Sequence, residues 1–122
     1  MAVILYIDTD QIYMSTLKLL LEQHAHKVLL ARTREHMRQV LLDHVVDLAL
    51  VDVDFARASP RLLSEVQSVS PLTRTMLLGM RAAEPLSGLA DAYFARLDGP
   101  QRLVAAVEAA ITPCLHKSAH QA

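Results

Sequence analysis

The groups best suited to chemistry lie in two acidic stretches, Asp8-Thr9-Asp10 and Asp52-Val53-Asp54. Each follows directly on an apolar run, AVILYI at 2–7 and LALV at 48–51. Clustered oxygen ligands of this kind suit a hard divalent cation such as Mg2+. A carboxylate so placed can also act as a nucleophile and form an aspartyl phosphate. Asp10 has a simpler use as the N-cap of a helix. Turn and cap roles account less well for Asp8 and Asp52, because two separate apolar runs end in the same way.

Other chemistries find little support. His24 and His26 sit at a helix-to-strand corner and share no face, so they read as solvated surface histidines. His116 and His120 fall near the chain end, and no Cys/His spacing of a zinc site occurs. The three glycines are isolated, so no phosphate-cradling loop exists. No Ser/His/Asp arrangement stands at a recognisable spacing. Tyr13 and Met14 follow the first acidic turn; lining a pocket rim and packing the first helix are both open to them.

The acidic residues must be positioned by the elements around them. The runs 2–7, 28–31, 48–51, 75–78 and 92–95 are short and continuously apolar, as strands buried on both faces are. Between them lie helical patterns. Asp10 caps a helix over Gln11–Gln23, and Thr33 caps one with Met37, Val40 and Leu41 on one face. Pro60 opens a third, carrying Leu62, Leu63, Val66 and Val69. The last starts near Gly99-Pro100 and carries Leu103, Val104, Val107 and Ile111. Pro85 and Gly88 allow residues 81–89 a short helix at most, and 113–122 read as a loose polar tail or the start of a linker. Strands alternating with helices imply a parallel sheet covered on both faces. Ligands in such sheets bind outside the carboxyl ends of the strands, where Asp8, Thr9, Asp10, Asp52 and Asp54 all fall.

Composition bounds the rest. The 122 residues form one domain, 52% apolar and 20% charged, which excludes disorder. A net charge of −1 offers no footprint for nucleic acid or an anionic membrane. A single cysteine, Cys114, excludes an internal disulfide framework and fits a reducing compartment. No apolar run approaches the ~20 residues of a membrane span, and 1–7 lack the basic start of a signal peptide. The expected location is the cytoplasm.

Several segments together resemble the receiver domain of bacterial two-component response regulators. ILYIDTD is similar to that family's first strand and acidic cluster, and LLEQHAHKV (20–28) to its passage into the second strand. VDLALVD (46–52) is similar to the third strand ending in the phospho-acceptor aspartate. ADAY (90–93), with Arg96 and Pro100, follows the fifth-strand pattern. The resemblance covers about 1–112 and implies a CheY-like, flavodoxin-like fold with strand order 2-1-3-4-5. The short interval from Gly79 to Arg96 implies a shortened fourth helix between strands four and five.

The resemblance implies roles residue by residue. Asp52 falls at the phospho-acceptor and Asp8 at the first metal-site acid. The second acid, usually the direct Mg2+ ligand, is replaced by Thr9. The Ser/Thr that contacts the phosphoryl group is replaced by Gly79, or by Met80 if the strand slips by one. Arg96 stands for the Lys, a substitution that keeps the charge but not the geometry. Leu97 replaces the Pro of a cis peptide, and a non-Pro cis bond costs ~2.5–4 kcal/mol. Tyr93 falls at the aromatic switch, and Asp54 can supply the carboxylate lost at Thr9. Two functions follow. In one, a histidine kinase or phosphotransfer protein phosphorylates Asp52, and the face of the fourth helix, fifth strand and last helix signals to a downstream protein. In the other, the domain binds a partner without phosphate. A homodimer through that face is compatible with both.

Overall fold

A computed structural model describes the backbone of residues 2–80 and 90–121, and the side chains as far as 111. Among the described residues five strands are present: β1 (Val3–Ile7), β2 (Lys27–Ala31), β3 (Leu48–Asp52), β4 (Arg74–Gly79) and β5 (Ala92–Ala95). They form one parallel sheet in the order β2-β1-β3-β4-β5. This is the flavodoxin-like architecture expected. The shortened helix expected within 81–89 lies outside the described residues.

Because side chains alternate along a strand, the apolar runs feed two cores. Ile4, Tyr6, Leu48, Leu50, Met76, Leu78 and Phe94 pack with α1 (Gln11–Gln23) and α5 (Pro100–Gln121). Leu5, Ile7, Ala49, Val51 and Leu77 pack on the other face with α2 (Arg34–Asp43), α3 (Val53–Ala58) and α4 (Leu62–Val69). Asp10 caps α1 by accepting from the Tyr13 N–H, and Thr33 caps α2 by accepting from that of His36. No helix among the described residues is long and apolar enough to cross a membrane.

Three local expectations change. Pro60 does not open a helix: it lies in the turn before α4, while VDFARA coils immediately after β3 as α3. That helix forms because Asp52 caps it, its Oδ2 accepting from the Phe55 N–H at 3.1 Å. His26 is no solvated histidine: its side chain is 7% exposed, with Nε2 2.6 Å from Glu108 and Nδ1 accepting from the Ala2 N–H. The backbone of α5 continues through Pro113 to Gln121, where a loose tail was expected; Leu, Lys, Gln and Ala in that stretch all favour helix. Beyond the sequence expectations, α1 ends in a Schellman motif, with the His26 N–H on the Leu21 carbonyl and the Ala25 N–H on that of Glu22. Its left-handed residue is Ala25, at φ +66°, where glycine is usual.

Candidate functional site

The pairing of Ile7 with Val51 brings Asp8 and Asp52 side by side at the carboxyl rim of the sheet. Both point to the α1–α5 face, since Asp8 is two residues beyond Tyr6 and Asp52 two beyond Leu50. Arg96 follows β5 directly, in the short 3-10 turn Arg96–Asp98, and reaches across β4 to them. Its Nη2 donates to Asp8 Oδ2 at 2.6 Å and to Asp52 Oδ1 at 3.1 Å. The same nitrogen lies 3.2 Å from the Tyr6 hydroxyl, which itself donates to Asp8 Oδ2 at 2.5 Å. The guanidinium carbon stands 4.0 Å from the centre of the Tyr13 ring, within cation–π range.

Every carboxylate oxygen in this group is engaged. Asp8 Oδ1 accepts from the backbone N–H groups of Thr9, at 2.6 Å, and Asp10, at 3.1 Å. Asp52 divides its oxygens between Arg96 and the first turn of α3. The side chains of Asp8, Asp52 and Arg96 are only 3%, 14% and 13% exposed, so these are charge pairs largely removed from water. The Arg96 Nε is buried without a partner among the described residues.

Burial dominates the protonation of the group. It raises the pKa of Asp52 above the ordinary carboxylate value, as does the negative charge of Asp8; the Phe55 N–H and Arg96 only partly oppose this. Burial works against the charged Arg96, but Tyr6, Asp8, Asp52 and Tyr13 outweigh it and hold its pKa above the usual value. Burial and the bond to Asp8 push the Tyr6 hydroxyl far upward, so it stays protonated and donates.

The remaining candidates fall around this centre. Thr9 and Asp54 are exposed, and with Asp52, Phe55, Ala58 and Ser59 they line a cleft of about 250 Å3 beside it. The Asp54 carboxylate is 81% exposed and pairs with Arg57 at 3.6 Å. Gly79 ends β4, and Met80 is exposed beyond it. Tyr93 pairs with Leu77 in the sheet and leans toward the rim over Gly79. A Cβ on Gly79 would lie 1.9 Å from the Tyr93 hydroxyl oxygen. The tyrosine hydroxyl thus fills the space that a Ser or Thr side chain would take. Leu97 is exposed, and no cis peptide occurs among the described residues.

Sequence reasoning brought Asp8, Asp52 and Arg96 to one rim but missed Tyr6 and the capping role of Asp52. Tyr6 had a signal: it carries the only polar side-chain atom in AVILYI and shares the face of Asp8.

No protein-family model matches the chain, and neither does any curated protein. Solved structures do match. The CheY-like response regulator receiver domain protein of Methanospirillum hungatei JF-1 superposes with a TM-score of 0.82 at 20% identity, over 96% of this chain and 98% of that one. A response regulator from Thermotoga maritima gives 0.80 at 21%, over 91% and 98%. The chain has the response-regulator receiver fold. The response regulator TrrA of Thermotoga maritima, in complex with Mg2+ and BeF, gives 0.77 at 19% identity, over 90% of this chain and 99% of that one.

As it stands, the rim of this chain does not offer a set of side chains that fits a divalent ion. Among the described residues, no three His, Cys, Asp or Glu side chains stand close enough together to hold a metal. Between the two aspartates that are close stands the Arg96 guanidinium.

Proposed function

We propose that the chain is a receiver-type signalling domain of two-component systems that works as a protein-binding module without requiring phosphorylation. The observation that carries this reading is Arg96 bridging Asp8 and Asp52, with the second oxygen of Asp52 capping α3. An acceptor aspartate attacks phosphorus through a carboxylate oxygen, and charge neutralisation and positioning supply most of the rate. Here both oxygens hold the fold together, and on the family resemblance the position of the direct metal-ligand acid carries Thr9 and that of the phosphoryl-contacting hydroxyl carries Gly79. On this reading the domain works in the cytoplasm. Its output surface includes β5 with Tyr93, and its partner is a downstream protein or a second copy. Residues 1–112 make up the receiver unit, and the helical continuation of α5 leads on as a linker.

A second reading has one observation in its favour. The cleft lined by Thr9, Asp54, Phe55, Ala58 and Ser59 also borders Asp52. A histidine kinase or phosphotransfer protein could present its phosphoryl group there, with Arg96 serving as the charge partner and Asp54 as an aid to Mg2+. Intact mass after incubation with acetyl phosphate and Mg2+ separates the two. The first reading expects no change in the parent chain. A gain of about 80 Da, the mass of one phosphoryl group, that disappears in Asp52→Asn establishes the second.

A further inference from the structure

The structure assigns to Arg96 the role of resident cation in an internal cation site: its guanidinium occupies a cradle that would otherwise admit a divalent ion, and so excludes one. The cradle has four walls. Asp8 Oδ2 and Asp52 Oδ1 supply negative charge at 2.6 and 3.1 Å from one nitrogen. The Tyr6 hydroxyl adds a neutral oxygen at 3.2 Å. The Tyr13 ring faces the guanidinium at 4.0 Å and stands edge-on to Tyr6, their centroids 6.3 Å apart. Two carboxylates, a hydroxyl and an aromatic face are what a buried cation requires.

The occupant is held tightly. Nη2 collects the three oxygen contacts, while Nε is buried with no acceptor among the described residues. A side chain serving chiefly as a packing or solubility element would not leave a donor orphaned at such cost. The cradle fixes the charged tip, and the rest of the group accommodates it. Mg2+ demands near-octahedral oxygen coordination at about 2.0–2.1 Å. It would have to displace a side chain tethered to β5, and the oxygens not facing Arg96 are already taken by the backbone at Thr9, Asp10 and Phe55. A tethered guanidinium has no concentration to be diluted, so the site is occupied whatever the ionic conditions. The inference concerns the cation alone and holds independently of which partner the domain binds.

Vacating the cradle tests it. Mn2+ serves as the probe, with bound ion counted by electron paramagnetic resonance, and Mg2+ serves in thermal denaturation. The parent chain should show no saturable Mn2+ site and no Mg2+ effect on Tm. Arg96→Ala should bind one Mn2+ per chain, and its Tm should rise by about 5 °C once Mg2+ is tenfold above its dissociation constant. Arg96→Ala combined with Asp8→Asn should lose both responses. Arg96→Gln, closer in shape, gives the same comparison if the alanine variant is unfolded in metal-free buffer; refolding of the alanine variant on adding Mn2+ is equally the expected result. A saturable ion in the parent that vanishes in Asp8→Asn overturns the assignment. So does a folded Arg96 variant that binds no ion.

Discussion

Gly79 and Tyr93 make the sharpest steric prediction. Gly79 has an ordinary strand backbone without positive φ, so its identity concerns space rather than conformation. A methyl group there would meet the Tyr93 hydroxyl oxygen at 1.9 Å, its ring carbon Cζ at 2.7 Å and Cε2 at 3.1 Å. Contact distances near 3.5 Å are needed, so the ring tip must move by roughly 1.5 Å or swing out of its half-buried position. Overpacking of this kind costs ~1–3 kcal/mol. Alanine also stiffens the unfolded chain, which offsets about 0.4–1 kcal/mol. Gly79→Ala should therefore destabilise by about 1–2 kcal/mol, read as the shift of a urea midpoint at constant slope. The assay is a double-mutant cycle with Tyr93→Leu, which removes the obstructing atoms. In that background Gly79→Ala should be neutral or mildly stabilising, a coupling of ~1 kcal/mol or more. A coupling below about 0.3 kcal/mol would mean that Tyr93 does not lie over Gly79 and refute the reasoning.

Further outcomes follow from the other contacts. Arg96→Gln leaves two buried carboxylates facing each other, so stability near neutral pH should fall by about 3–5 kcal/mol in chemical denaturation. The deficit should shrink on acidification, as one carboxylate takes a proton. In the parent, the folded pKa of Asp52 lies above its ordinary 3.8. The folded chain then holds that proton more readily than the unfolded one, so this group contributes most below 3.8 and loses its contribution as pH rises through the folded value. Asp52→Asn removes that loss: the stability difference between variant and parent should move in the variant's favour over that interval, and an unchanged difference would contradict it. Ala25→Gly relieves a left-handed alanine at the end of α1 and should raise stability by ~0.5–1 kcal/mol, seen as a higher Tm. Asp10→Ala removes the α1 cap and should cost about 1 kcal/mol in the same assay.

The sheet was legible because its strands are short, continuous and apolar, a pattern that few other elements produce. Its carboxyl rim was legible because Asp8 and Asp52 interrupt two such runs at the same point. What escaped depends on partners distant in sequence. The guanidinium of Arg96 meets Asp8 across 88 residues, and nothing local to RLDGP says that it folds inward. Tyr6 reads as one more strand residue until its hydroxyl is seen at Asp8. The helix α3 was missed because six residues carry too little periodicity; its start is set by the Asp52 side chain, which the same reading had reserved for chemistry. His26 read as a surface residue because a corner histidine usually is one, whereas here Glu108 on α5 closes over it. The segment 81–89 lies outside the described residues, and the shortened helix assigned to it rests on the interval between Gly79 and Arg96.

The most direct test of the central claim, that the Asp8–Arg96–Asp52 bridge stands in place of a metal and phosphoryl site, is a titration of the isotope-labelled parent chain with Mg2+ and fluoroberyllate, followed by amide NMR. The bridge predicts no saturable shifts at Thr9, Val53, Phe55, Gly79 or Leu97. Saturable shifts at those amides, abolished by Asp52→Asn, would show that the rim opens to a phosphoryl mimic and would contradict it.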